Sequence, residues 1–121
     1  MPATSVLIVE DDDLIASFVR RALIRLGHAV TSAATGQEAL AFLESGDIDL
    51  VLLDLTLPDI DGLEVLRRIR LGGDEVPVVI LTSRSDPKDR AIADHWGVDR
   101  YLVKPFPLAE LTAIVDSVGS S

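Results

Sequence analysis

Acidic side chains follow two predominantly apolar runs of the sequence. Glu10 and Asp11 come directly after residues 5–9, and Asp54 comes directly after residues 50–53. An unbroken apolar run of this length is typical of a strand that is buried on both faces. Because an ionised carboxylate is costly to bury, we expect these acids at the ends of the strands, where a sheet edge meets water.

Two further runs end in polar groups that would complete a reactive site. Thr82 ends the run that begins at Val76, and Lys104 follows residues 101–103. Three carboxylates at one sheet edge would repel each other, and a divalent cation would relieve that repulsion. Oxygen ligands without a cysteine or a neighbouring histidine favour Mg²⁺, with Mn²⁺ as an alternative.

This combination of groups fits phosphoryl transfer. The carboxylate of Asp54 can act as a nucleophile and form an aspartyl-phosphate. The metal and Lys104 would stabilise the phosphoryl charge, and the Thr82 hydroxyl would hold an oxygen of the product. Each group alone is equally well explained as a helix cap or a solvated side chain, so the prediction rests on acids that converge from separate strands.

Parallel strands are needed to bring these groups together. The apolar runs alternate with segments of helical spacing, which predicts an α/β fold, a (βα)5 doubly wound sheet of five parallel strands. Right-handed crossovers then place all five strand ends at one edge. The predicted strands are residues 5–9, 29–33, 50–53, 76–82 and 101–103. The helix starts are marked by Asp12 or Asp13, Thr35, Asp86 and Pro107.

Two of the predicted helices carry informative apolar positions. The fourth helix has Ile92 and Trp96, and we expect Trp96 to cover the edge of the core. The first helix shows helical spacing along its whole length, which is typical of an amphipathic helix. Its apolar positions are Leu14, Ile15, Phe18, Val19, Ala22, Leu23 and Leu26.

Length and composition limit the function further. The 121 residues are 48% hydrophobic, which predicts one domain, 1–121, with 119–121 as a tail or the start of a linker. A formal net charge of −9 would repel a phosphate backbone, so we expect no direct binding of nucleic acid. The chain has no cysteine, which fits a reducing cytoplasm, where we place the protein. No apolar run approaches the ~18 residues of a membrane span, so no membrane association is expected.

Five sequence motifs carry a family resemblance. They are Leu7–Asp12, Leu52–Pro58, Asp61–Gly62, Ile80–Ser83 and Tyr101–Phe106. In this order and spacing they closely resemble the receiver domain of two-component response regulators, over nearly the whole chain. The resemblance implies a flavodoxin-like three-layer sandwich with the sheet order 2-1-3-4-5.

The resemblance also implies roles for the site residues. Asp54 would accept a phosphoryl group from a histidine kinase or a phosphotransfer protein. Asp11 would be a direct Mg²⁺ ligand, Glu10 would act mainly through water, and the backbone carbonyl of Thr56 would be a third protein ligand beside Asp54. Such a domain is not an enzyme in the usual sense, because it catalyses only its own phosphoryl transfer and dephosphorylation.

A switch and its output are implied in the same way. Thr82 and Tyr101 would be the switch pair, coupled with Lys104 to a change in the face formed by the fourth helix, the fifth strand and the fifth helix. That face would contact an output partner or an effector domain. The Lys104–Pro105 peptide bond is implied to be cis. In this family the positions of Thr56 and Arg84 tune how fast the phosphoryl group is lost.

One feature distinguishes this chain from related receivers, and two others count against rival interpretations. Related receivers often dimerise through basic residues of the last helix, whereas residues 108–118 contain no Lys or Arg, so we expect a monomer. A haloacid-dehalogenase-like phosphatase would also use a nucleophilic Asp54, but it would need an acid at the position of Thr56. A flavodoxin-like flavin binder would need a loop rich in Ser, Thr and Gly where this chain has Glu10–Asp13.

Overall fold

Five parallel strands form one sheet with the order 2-1-3-4-5, the order that the family resemblance implies. The computed structural model describes residues 4–119, with side chains through residue 118. The strands are β1 (Ser5–Val9), β2 (Ala29–Ala33), β3 (Leu50–Leu53), β4 (Val78–Thr82) and β5 (Arg100–Val103). The helices are α1 (Asp13–Arg25), α2 (Gly36–Glu44), α3 (Gly62–Leu71), α4 (Pro87–His95) and α5 (Leu108–Gly119).

The central strands are buried because helices cover both faces of the sheet. Successive side chains of a strand point to opposite faces, so Leu7 and Val9 belong to one core and Val6 and Ile8 to the other. Helices α2, α3 and α4 pack on the first core, and α1 and α5 pack on the second. The result is the three-layer sandwich that was predicted, with all strand tips at one edge.

The helix starts follow from side chains that cap them. Asp12 is the N-cap of α1, and its side chain accepts hydrogen bonds from the N–H groups of Leu14 and Ile15. Thr35, Asp61 and Asp86 cap α2, α3 and α4 in the same manner. Of the two acids proposed to begin α1, the structure therefore selects Asp12.

Some predicted boundaries were wrong by one or two residues. Strand β4 begins at Val78 and not at Val76, because Pro77 lacks an N–H and the Val76 N–H donates instead to Asp74 at 2.9 Å. Helix α5 begins at Leu108, one residue after Pro107. It continues through Gly119, which was predicted to lie in the tail. Residues 120–121 lie outside the described part of the chain.

Helix α1 buries less of its apolar face than its spacing suggests. Of the seven apolar positions only Val19 and Leu23 are fully buried, while Leu14 is 83% and Phe18 is 60% exposed. Seven positions cover more of the circumference than the narrow stripe that a helix turns toward a sheet. This helix is 13 residues long, and no helix among residues 4–119 is both long and apolar enough to cross a membrane.

Candidate functional site

Asp54 stands at the carboxyl end of the central strand β3. Its N–H still donates to the Val9 carbonyl of β1 at 3.0 Å, so the sheet fixes its backbone. Its side chain is almost completely buried, and its Oδ1 accepts a hydrogen bond from the Thr56 N–H at 3.2 Å. The carboxylate is therefore held at the sheet edge by its own strand and by the turn that follows.

Gly62 lets helix α3 begin in close contact with the backbone of Asp54 and Leu55. A methyl group on Gly62 would stand 2.5 Å from the Asp54 carbonyl oxygen and 2.5 Å from the Leu55 α carbon. Both are backbone atoms, which cannot rotate away as a flexible side chain can. The close approach closes the loop from Asp54 to the N-cap residue Asp61, so it shapes the site.

Three carboxylates meet at the edge where β1 and β3 end. Ligand oxygens of Glu10, Asp11 and Asp54 all lie within 4.8 Å of one another. Glu10 and Asp54 are buried, whereas Asp11 is exposed, so the group opens to solvent on one side. Glu10 is fixed further by the Asp12 N–H, which donates to its Oε2 at 3.3 Å.

Lys104 supplies the positive charge of the site. Its Nζ donates to Glu10 Oε1 at 2.7 Å and to Asp54 Oδ2 at 3.2 Å. Burial acts to lower the pKa of Lys104, but the hydrogen bond to Glu10 and the two carboxylate charges outweigh it, and the pKa is raised. Burial raises the pKa of Glu10, with the Asp54 charge adding to the effect and the Lys104 contact opposing it.

The donor set fits a hard divalent cation. All three side chains offer carboxylate oxygens, which suit Mg²⁺ in preference to softer metals. Asp11, the exposed member, is open to an entering ion, and Glu10 and Asp54 already converge on a positive charge in Lys104. Thr56 lies in the turn after Asp54, and the role of its carbonyl stays a prediction.

Thr82 and Tyr101 lie on the neighbouring strands β4 and β5. Thr82 ends β4 and is fully buried, and its Oγ1 accepts a hydrogen bond from the Arg84 N–H at 3.2 Å. Tyr101 is buried in β5, and its hydroxyl donates to the Arg84 carbonyl at 2.8 Å. Burial raises the pKa of Tyr101. The Lys104–Pro105 peptide bond, which follows β5, is cis.

Two contacts near the site have no signal in the sequence. Asp59 accepts hydrogen bonds from the N–H groups of Gly36 and Gln37 and so ties the loop after Asp54 to the start of α2. Arg84 binds groups on two other elements of the fold. The Asp59 contacts, and those of Arg84 with Leu55 and Asp61, join residues more than twenty positions apart in the sequence. The contact of Arg84 with Asp89 depends on one side-chain rotamer. No local sequence pattern therefore predicts them.

Comparison with known proteins identifies the family of this site. Residues 6–116 match the model of the response regulator receiver domain. The transcriptional regulatory protein QseB of Haemophilus influenzae is 45% identical over 108 residues, which are 89% of this chain and 49% of that protein. The chain spans about half the length of the relatives it matches.

Solved structures agree with this assignment. A CheY-like receiver domain protein from Methanospirillum hungatei has a TM-score of 0.88 at 29% identity, over 98% of this chain and 96% of that one. The response regulator TrrA of Thermotoga maritima, solved in complex with Mg²⁺ and BeF, has a TM-score of 0.85 at 33% identity, over 95% of this chain and 98% of that one.

The chain therefore belongs to the family of response regulator receiver domains. Receiver domains are signalling switches of two-component systems and not enzymes in the usual sense. The match over residues 6–116 and the sheet order 2-1-3-4-5 supersede the phosphatase and flavin-binding interpretations.

Proposed function

We propose that this domain is a phosphoacceptor switch that is phosphorylated on Asp54 in a magnesium-dependent reaction. One observation carries the proposal: a buried carboxylate at the tip of β3 lies beside two further carboxylates and 3.2 Å from the Lys104 ammonium. A buried nucleophile with a metal site on one side and a fixed cation on the other is suited to phosphoryl transfer.

The residues divide the reaction between them. A carboxylate oxygen of Asp54 attacks the phosphorus of a phosphohistidine, the P–N bond breaks, and the imidazole leaves. Lys104 donates a hydrogen bond to a phosphoryl oxygen, and the Thr82 hydroxyl donates to another. Glu10, Asp11, Asp54 and the Thr56 carbonyl would hold a metal ion, Mg²⁺ or alternatively Mn²⁺. When bound, that ion would supply positive charge to neutralise the phosphoryl oxygens.

The donor and the output partner are proposed from the same geometry. The phosphodonor is a histidine kinase or a phosphotransfer protein, and it approaches the open sheet edge at Asp54. The output surface is the α4-β5-α5 face, where Tyr101 lies behind a groove whose charged lining residues are Arg90, Asp94, Asp99, Arg100 and Glu110. An effector domain or a separate protein binds this face. We also propose that the domain acts as a monomer in the cytoplasm.

Covalent mass after incubation with acetyl phosphate and Mg²⁺ tests the proposal. We expect one phosphoryl adduct on the wild-type domain and none on Asp54→Asn, which keeps the shape and removes the nucleophile. Asp13→Asn is the matched control, because it removes a carboxylate from the start of α1, and its adduct is expected to equal that of the wild type. An adduct of equal yield on Asp54→Asn, or one independent of metal, contradicts the assignment.

A further inference from the structure

The loop between Asp54 and helix α3 has little backbone support of its own. Its ends are fixed, because the Asp54 N–H donates to β1 and the Gly62 N–H donates to the Leu55 carbonyl at 2.8 Å. Between them, residues 56–60 form no backbone–backbone hydrogen bond with any described part of the chain. This loop segment, residues 56–60, therefore depends on side-chain contacts for its position.

Asp59 ties the loop segment to helix α2. Its Oδ1 accepts from the Gly36 N–H at 2.8 Å, and its Oδ2 accepts from the Gln37 N–H at 2.9 Å. These are the first two residues of α2, and the N-cap Thr35 accepts from the N–H of Glu38 instead. The first N–H groups of a helix have no partner within it, so they bind a carboxylate well. Within the described part of the chain, no other residue of the loop segment forms a hydrogen bond with a helix or strand.

Ile60 packs against the same end of α2. A methyl group on Gly36 would stand 2.5 Å from Ile60 Cγ1 and 2.8 Å from Val65 Cγ2, so the absence of a side chain at Gly36 makes room for Ile60. Leu57 and Ile60 both pack on the core between the sheet and helices α2 and α3. A polar and an apolar contact on neighbouring residues thus fix the loop segment at one point, the start of α2.

We propose that Asp59 is a positioning residue for the metal site, because it anchors the segment that carries Thr56. The inference rests on the proposed function, which assigns the Thr56 carbonyl to the metal ion. The Thr56 N–H donates to Asp54 Oδ1 at 3.2 Å, so a shift of the loop segment moves a proposed ligand and a hydrogen bond of the phosphoacceptor together. Mg²⁺ demands ligands at nearly ideal distances and angles, so a displaced ligand lowers its affinity. Asp59 would act only through Thr56.

Calorimetric titration with Mg²⁺ tests this inference on two variants that disrupt the anchor in different ways. Asp59→Ala removes both hydrogen-bond acceptors, whereas Gly36→Ala displaces Ile60 and leaves every charge in place. Each is expected to bind Mg²⁺ about threefold to tenfold more weakly than the wild type, a smaller loss than for a group bonded directly to a ligand. The double variant is expected to lose little more than the weaker single variant, because both changes disrupt one anchor.

Two controls separate position from charge and from stability. Asp13→Ala also removes a carboxylate, from the first turn of α1, and is expected to change the affinity by less than about twofold. Salt screens a lost charge but not a displaced ligand, so the loss in Asp59→Ala relative to wild type should persist from about 0.1 M to about 1 M KCl. All titrations are made where urea unfolding shows each variant to be fully folded, so reduced stability alone leaves the affinity unchanged.

Wild-type Mg²⁺ affinity in Asp59→Ala overturns the inference and leaves its contact with α2 a purely structural one. A loss that disappears at about 1 M KCl overturns it as well, because the carboxylate then acts only through its charge. Should Gly36→Ala not fold, Asp59→Ala across the salt series decides alone. A wild-type domain that binds no Mg²⁺ contradicts the proposed function instead.

Discussion

The ammonium of Lys104 donates to the Glu10 carboxylate at 2.7 Å, across 94 residues of sequence. This ion pair joins the tip of the first strand to the loop after the fifth, and both groups also border Asp54. Lys104 thus already balances part of the negative charge that attracts a cation to this edge. The positive charge of Lys104 repels a cation that binds at these carboxylates, so its role differs from that of a metal ligand.

Replacing Lys104 with Met is expected to strengthen Mg²⁺ binding by about threefold to tenfold, because a like charge leaves the site. The same variant is expected to lose the response of α4 and β5 to a phosphoryl mimic, since the new anion has lost its partner. Calorimetry measures the first effect, and amide exchange of residues 86–103 measures the second. Lys88→Met removes an exposed cation from α4 and serves as the control. Weaker Mg²⁺ binding in the Lys104 variant contradicts this account.

Asp11 and Asp13 are expected to differ sharply in their effect on metal binding. Asp11 is the exposed member of the three-carboxylate group, whereas Asp13 lies in the first turn of α1. Asp11→Asn should therefore lower Mg²⁺ affinity by about tenfold or more, and Asp13→Asn should change it by less than about twofold. Metal titration of the two variants side by side decides this. Equal losses would place the ion nearer the helix start than the carboxylate group indicates.

Gly62→Ala is expected to destabilise the domain by about 1–3 kcal/mol, because its methyl group would collide with the backbone of Asp54 and Leu55. The resulting shift should also slow phosphorylation at the adjacent carboxylate. Gly72→Ala is the matched control, because a methyl group there meets its nearest neighbour at 3.4 Å and the backbone is in the ordinary helical region. Urea unfolding and the rate of adduct formation give the two readouts. A Gly62 variant as stable as the Gly72 variant would mean that α3 can retreat without cost.

The bond from Asp59 to α2 is expected to make stability depend on pH. Partial desolvation acts to raise the pKa of Asp59, but the N–H groups of Gly36 and Gln37 outweigh it, and the pKa is lowered from its usual 3.8. A lowered folded-state pKa contributes stability above 3.8 that is lost as the pH falls through the folded value.

Asp59→Asn should therefore unfold at a lower urea concentration than the wild type at pH 7, and the difference should shrink as the pH falls below 3.8. Asp47→Asn, which alters an exposed loop carboxylate, is expected to match the wild type at both pH values. A difference for Asp59→Asn that stays constant with pH would show that the charge of Asp59 contributes nothing.

The domain is expected to remain a monomer when activated. In a two-fold contact through the α4-β5-α5 face, acids of one copy must meet bases of the other, and residues 108–118 contain none. The formal charge of −9 adds repulsion between copies. Sedimentation at tens of micromolar, with and without beryllofluoride and Mg²⁺, measures the mass. A tight dimer on activation would show that an uncharged interface suffices.

The ends of the strands were predictable because adjacent residues in the sequence mark them. An apolar run followed by a carboxylate marks both a buried strand and its end, so Asp54 and Glu10 could be placed at a sheet edge from the sequence alone. The alternation of strands and helices then required Lys104 to reach the same edge. Roles that depend on a bound phosphoryl group or metal, such as that of the Thr56 carbonyl, remain proposals.

Other features depend on geometry that the sequence does not encode locally. Periodicity marked Leu14 and Phe18 as apolar, but only the packing of α1 on the sheet decides which positions are covered. The contacts of Arg84 depend on the path of one loop and on the rotamer of a long side chain. The Asp59 contact joins residues 22 and 23 positions apart, and its partners are backbone groups that carry no sequence signal.

The distance in sequence between Glu10 and Lys104 also bears on synthesis of the protein. A ribosome that has released only the first four strand-helix units has delivered the acids but not the lysine that balances them. The ion pair that completes this edge can therefore form only after residue 104 has been released and β5 has paired with β4.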